Sequence, residues 1–194
     1  DELSSAINPK DFYHAPLSKL VSLENTTNKG GGHCWDFNDF ESIKKICSDN
    51  NLGLHMDGAR IWNSIIAKND NPKLYGNIFD TVSVCLSKGL GCPIGSILVG
   101  KKNFIDKAIR IRKILGGGMR QVGYLAAAGL YAIQNNISRL LIDHERAKEI
   151  SLKFLSKDFI KTINDVETNI IILELNESVQ KKTMIDYFSK NEIV

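Results

Sequence analysis

Between an apolar run and three glycines, the stretch SVCLSKGLGCPIGS (83–96) holds a single lysine, Lys88. An amine at the end of a buried strand can lose part of its solvation and become a nucleophile towards an aldehyde. Schiff-base formation is the natural use. Glycines at 89, 91 and 95 let backbone come close to a flat ligand, and Pro93 stiffens the turn. A surface lysine opening an ordinary loop between strands fits the same residues.

Two further groups have the right types in the right places. Asp57, in LGLHMDG (52–58), ends another strand pattern and is followed by glycine and a helix start. There a carboxylate can accept the pyridinium N–H of pyridoxal phosphate and keep that ring an electron sink; it can equally cap the helix beginning near Ala59. Arg60, three residues on, carries a planar fork suited to a substrate carboxylate, or is solvated, or pairs with Asp57. His14, in FYHAP, precedes the first strand pattern.

The elements that must position these groups alternate. Strand-like runs at 19–25, 52–58, 79–87 and 95–100 are separated by helical periods at 39–48 and 59–67. Such alternation predicts an α/β fold, a mostly parallel sheet flanked by helices, whose ligands gather beyond the carboxyl ends of the strands. From Asn103 the period becomes helical, with Phe104, Ala108, Ile111 and Leu115 on one stripe until the GGG at 116–118. Helices are expected at 120–135 and 138–155, then a strand at 169–175, a helix at 178–190, and the start of another strand in NEIV. The charged stretch before 169 divides the chain into a large-domain part, 1–157, and the start of a smaller C-terminal α/β domain, 158–194.

Composition narrows the class. With 43% hydrophobic and 24% charged residues the chain reads as globular, without a run long enough for a membrane span and without a leader. A net charge of +3 is too small to argue for nucleic acid; the basic residues crowded at 101–113 fit the wet face of a helix. Cys34, Cys47, Cys85 and Cys92 make no metal-ligand spacing, so no metal is expected and the thiols read as reduced, in a cytoplasmic protein.

Taken together, SLEN, LHMDGARIWN, SVCLSKGLGCPIGSILVG and RKILGGGMRQVGYLAAAGLYAI resemble the threonine aldolases, pyridoxal-phosphate enzymes of fold type I related to the β-eliminating lyases. The likeness runs from about Tyr13 past Ala147. It implies that Lys88 forms the Schiff base with the cofactor, Asp57 faces the pyridine nitrogen, Arg60 holds the substrate carboxylate, and His14 stands near the substrate's β-hydroxyl as base. Lys113 and Arg120 fall where relatives place basic groups near the active site of a neighbouring subunit, in a dimer of dimers; helix-end charges are the plainer use. The reaction implied is cleavage of threonine or allo-threonine to glycine and acetaldehyde. An aminotransferase or β-eliminating lyase needs the same lysine and aspartate, and an inactive assembly partner needs neither. Thr27 stands where the family has histidine, and GGGHCWDF replaces a segment richer in leucine and proline. The resemblance also implies a chain incomplete at both ends, since the family's phosphate-binding loop precedes the matched region and a further carboxylate-binding arginine comes after it.

Overall fold

The computed structural model describes residues 2–193; the expected domain bounds at Asp1 and Val194 lie outside them. In chain order the elements are α1 (Glu2–Ser5), β1 (Leu20–Glu24), α2 (Phe37–Asp49), β2 (Gly53–Gly58), α3 (Ile61–Lys68), α4 (Pro72–Ile78), β3 (Thr81–Cys85), β4 (Ser96–Gly100), α5 (Lys102–Ile114), α6 (Gly123–Asn135), α7 (Leu140–Leu155), β5 (Ile160–Ile163), β6 (Leu173–Leu175) and α8 (Lys181–Lys190). The main sheet runs β1-β2-β3-β4, with β1, β2 and β3 parallel and β4 antiparallel to β3. Parallel neighbours need crossovers, supplied by α2 between β1 and β2 and by α3 and α4 between β2 and β3. This is the mixed, mostly parallel α/β sheet expected from the alternation.

Strand β2 shows why the sheet has two unlike faces. Its alternation puts Leu54 and Met56, both fully buried, on one side, and His55 and Asp57 on the other. On the buried side they meet Phe40 and Cys47 of α2, Ile61 and Ile65 of α3, Tyr75 of α4, and Phe79 and Val82. Burying side chains of this size stabilises by roughly 1.5–3 kcal/mol each. Phe37, Phe40, Tyr75 and Phe79 pack edge to face around this core.

A second core forms where Leu86, Leu90 and Cys92, between β3 and β4, meet Ala132 of α6 and Leu140 of α7. Helix α7 also lies against α3. Its buried positions Leu140, His144, Ala147 and Ser151 keep to the 3.6 period, so one polar ring is carried into the interior with the apolar stripe.

Differences from the expected elements have local causes. Helix α4 has no counterpart among them; Pro72 opens it, and the Asn71 side chain accepts from Lys73 N–H (3.0 Å). Strand β5 has none either. The run at 169–175 is strand only at Leu173–Leu175, because Thr168 is drawn back to donate its hydroxyl to Gly32 C=O (2.7 Å). Residues 191–193 do not extend a strand, and Val194, the last residue of the expected one, lies outside the described residues. On α5 the half-buried positions are Ile105 and Ala108, which with the exposed Ile109 help to line an open cavity of about 620 Å³ shared with β4 and α6. Phe104, Ile111 and Leu115 of the expected stripe are exposed. No helix among the described residues is long and apolar enough to cross a membrane.

Candidate active site at the carboxyl ends of the strands

The polar face of the sheet leads to the site. Register places Ser22, His55 and Thr81 in one row across β1, β2 and β3, and Glu24, Asp57 and Ser83 in the next, towards the carboxyl ends. His55 Nδ1 and Thr81 Oγ1 are 2.8 Å apart. Asp57 is exposed, and its Oδ1 accepts from Ala59 N–H (3.0 Å), which fixes the carboxylate against the turn into α3. Among the described residues no side chain pairs with its other oxygen. Arg60 stands at the N-cap position of α3, half-buried, and its carbonyl accepts from Asn63 N–H (2.9 Å).

Lys88 lies just past β3, the strand that neighbours Asp57's β2. Its carbonyl accepts from Gly91 N–H (2.8 Å), and Gly91 takes a φ of 76°, in the left-handed region that favours glycine. The turn is anchored on both flanks: Leu86, Leu90 and Cys92 are buried, and Asn136 Nδ2 donates to Leu90 C=O (2.7 Å). Between these anchors Ser87, Lys88, Gly89 and Gly91 are exposed. The burial expected to strip water from the lysine is therefore not supplied by this chain's described residues, because the turn carries the amine beyond the strand end. The exposed amine makes no ion pair or hydrogen bond among the described residues.

The other sequence-derived residues are not brought to this group. His14 sits in the loop before the amino end of β1, exposed and with its ring 4.0 Å from that of Tyr13. That loop is bound at Asn8, which donates to Ser18 Oγ and Pro16 C=O, and it lies beside Asn50–Leu52 at the amino end of β2. Within one chain, then, His14 belongs to the opposite end of the strands from Asp57. Lys113 ends α5 and packs its stem against Gly118, while Arg120 stands in the connection to α6; both are exposed. Among the described residues neither makes an ion pair or hydrogen bond with Lys88, Asp57 or Arg60.

Behind the site lies a polar layer that sequence reasoning missed. Asn25, fully buried at the end of β1, donates to Ser64 Oγ (2.9 Å) on α3. Asn63 Nδ2 is 3.1 Å from His144 Nε2 and 3.2 Å from Asn169 Oδ1. Burial lowers the His144 pKa, with the Asp143 charge opposing, which favours the neutral ring that can accept from Asn63. Further out, His33 Nδ1 meets Glu167 Oε1 at 2.5 Å, Cys34 N–H donates to Glu167 Oε2 (3.2 Å), and Lys68 stands 3.8 Å from the same oxygen. Burial alone would raise the Glu167 pKa; the bonds from His33 and Cys34 and the Lys68 charge outweigh it and hold the carboxyl below its ordinary range. Burial pushes the Cys34 thiol up to about 11, against a hydrogen bond with Ser64 and with help from the Glu167 charge. A sequence signal existed only for His144, whose phase on the α7 period matches that of Leu140 and Ala147.

A mostly parallel sheet with a lysine turn and an aspartate on adjacent strands, both at the carboxyl ends, defines a fold type I α/β protein. The model of the family described as Beta-eliminating lyase matches residues 1–178, and the chain belongs to that family. Pyridoxal phosphate is the family's cofactor. Over 179 residues the chain is 40% identical to the low specificity L-threonine aldolase of Escherichia coli K12, covering 91% of this chain and 51% of that one. It superposes with a TM-score of 0.80 on a candidate L-allo-threonine aldolase of Listeria monocytogenes, at 23% identity over 92% of this chain and 49% of that one. With a histidinol-phosphate aminotransferase of Clostridium acetobutylicum the TM-score is 0.66, at 18% identity over 91% and 53% of the two chains. These two likenesses show the fold alone. The chain spans about half the length of the curated relatives it matches.

Proposed function

We propose that this chain is part of a pyridoxal-phosphate-dependent carbon–carbon lyase that cleaves a β-hydroxy amino acid, threonine or allo-threonine, to glycine and an aldehyde. The observation that carries the reading is the anchored turn that presents Lys88, free of any partner among the described residues, beside the strand that ends in Asp57. The residues fit the cofactor. Asp57 keeps one carboxylate oxygen free to accept a pyridinium N–H, and the face it shares with Ser83, Thr81 and His55 is polar and open rather than filled by core.

Bound there, pyridoxal phosphate supplies an electron sink for the bond that breaks. The chain's own residues do the rest. Lys88 would hold the cofactor through its amine, the one nucleophilic nitrogen presented at this turn. Asp57 would face the ring nitrogen with its free carboxylate oxygen and keep that nitrogen protonated. Arg60, at the start of α3, clamps the substrate carboxylate, which turns the Cα–Cβ bond towards the productive orientation. Deprotonation of the β-hydroxyl is not assigned to His14 within one chain, because the fold holds His14 at the amino ends of the strands.

The exposed apolar positions Tyr124, Leu130 and Tyr131 on α6 support a homo-oligomer, read as a dimer of dimers, in which Lys113 and Arg120 approach a neighbour's site. Four free cysteines support a reducing, cytoplasmic setting. The separate two-stranded sheet β5-β6 supports a smaller domain beginning near residue 158.

The test uses the whole protein with added cofactor. Threonine should give glycine and acetaldehyde, and an absorption band at the edge of the visible should disappear on borohydride reduction. Lys88→Ala should lack the band and lose turnover by on the order of 10³-fold or more. Keto acid and ammonia in place of acetaldehyde would indicate a β-eliminating lyase. A wild-type protein that stays colourless would refute the catalytic reading.

A further inference from the structure

The polar layer behind the site has a geometry that reaches the lysine turn. Asn63 is the residue where three distant parts of the chain converge: its Nδ2 meets His144, 81 positions away on α7, and Asn169, 106 positions away before β6. Its other atom faces the lysine turn, since a Cβ built on Gly89 would lie 3.8 Å from Asn63 Oδ1. That same Cβ would lie 2.7 Å from Leu140 Cδ2, one helical turn before His144. Asn63 is also tied to Arg60, through its own N–H. Asn63 is 4% exposed and His144 7%, so bulk water has little access to replace the ring, whereas Asn169 is exposed.

We propose that His144 and Asn169 are positioning residues: acting through Asn63, they fix the Lys88 turn and the Arg60 corner of α3 relative to each other. The physical reason lies in the inventory of donors. The Asn63 NH₂ group has two hydrogens; with His144 as the tautomer that accepts at Nε2, the two acceptors take both, which sets the amide plane with Oδ1 on the side of Gly89. Removing His144 leaves a buried donor unpaired, and removing Asn169 lets the amide rotate or turn towards water. Either outcome displaces the Asn63 side chain that stands beside Gly89. The groups facing His144 are Asn63 on α3 and its own neighbour Asp143, whose charge favours the protonated ring and is outweighed by burial. The catalytic roles of Lys88 and Arg60 in this inference rest on the function proposed above; the positioning does not.

The test compares His144→Leu, which deletes the acceptor, with His144→Gln, which offers an amide oxygen to Asn63, and adds Asn169→Ala as a second route that disturbs no core residue. Amide hydrogen exchange is monitored in the peptide covering 86–95, in the whole protein. His144→Leu should speed exchange of the Gly91 and Cys92 amides at least about tenfold, and His144→Gln should return it to within about threefold of wild type. In turnover, Asn169→Ala should raise KM for the amino acid about three- to tenfold with kcat changed less, because the Arg60 corner is loosened while the chemistry is kept. Exchange in 86–95 within about twofold of wild type in both His144→Leu and Asn169→Ala would overturn the proposal, as would a His144→Gln protein no better than His144→Leu. If His144→Leu does not fold, Asn169→Ala decides alone by the same exchange criterion. A wild-type protein without the borohydride-sensitive band would refute the lyase reading and leave the exchange comparison intact as the test of positioning.

Discussion

Gly89 offers the sharpest quantitative check on how the lysine turn is held. An alanine there would set its Cβ 2.7 Å from Leu140 Cδ2, well inside any real carbon–carbon contact. Leu140 is 1% exposed and packed with Leu86, Leu90 and Ala132, so its methyl has no free space to enter. Inserting a methyl into such a site costs about 1–3 kcal/mol. The backbone dihedral at 89 is not in the left-handed region, so the substitution also lowers the entropy of the unfolded chain, which returns about 0.4–1 kcal/mol. Gly89→Ala should therefore destabilise the whole protein by roughly 1–2 kcal/mol, read as a lower urea midpoint at unchanged m-value. Leu140→Ala alone should cost about 2–5 kcal/mol by leaving a cavity. In the double variant the clash is absent, so the two effects should fall short of additivity by about 1 kcal/mol or more. Activity reports the same displacement: kcat/KM should fall at least about tenfold in Gly89→Ala, because Lys88 moves with its neighbour. A Gly89→Ala protein within about 0.5 kcal/mol of wild type, or strict additivity with Leu140→Ala, would refute the packing assigned to this turn.

Two more outcomes rest on the geometry. Glu167 is held below its ordinary carboxylate range, so its bonds to His33, Cys34 and Lys68 contribute stability that is complete above the unfolded carboxyl value and is lost as pH falls through the lower folded one; Glu167→Gln should flatten the acid limb of stability against pH in denaturant titrations, and an unchanged limb would refute the clamp. His14→Ala should keep kcat/KM within about threefold of wild type, since a general base deletion costs about 10²–10⁴-fold and His14 stands at the wrong end of the strands; a loss of that larger size would show that His14 reaches a neighbour's site.

What the sequence made legible was local. Lys88 and Asp57 each mark the point where a strand gives way to a turn, and their place at the carboxyl ends is set by alternation alone, without any knowledge of distant contacts. The strands β1 to β4 and the helices α2, α3, α6 and α7 were legible for the same reason. Helix α4 was hidden by its seven residues and its central Gly76, too short a window for a period to show. For His14 a motif says which residues are near in the chain, whereas topology decides at which end of the sheet they emerge. The run at 169–175 was misjudged because its first residues answer to Gly32, 136 positions from Thr168, and to Asn63, not to a neighbouring strand.

That contrast explains how the site is built. The groups proposed to react come from positions 57 to 88, while contacts around them come from α7 and from the segment at 167–169, which reaches back to the loop after β1 through Glu167 and Thr168 and to α3 through Asn169. A polar contact spanning more than 100 positions closes a long loop of chain, and the entropy of that closure grows only slowly with length. Anchoring from far away therefore costs little more than anchoring from nearby, and it frees the residues beside Lys88 to be small. Glycine at 89 leaves room for Leu140 and Asn63 to approach the backbone, and the stiffness that a bulkier local sequence would supply comes instead from α3 and α7. The placement of Lys88 is thus a property of the tertiary fold, and changes near residue 169 should act on the lysine turn more strongly than changes of equal size at exposed positions within the 86–95 connection itself.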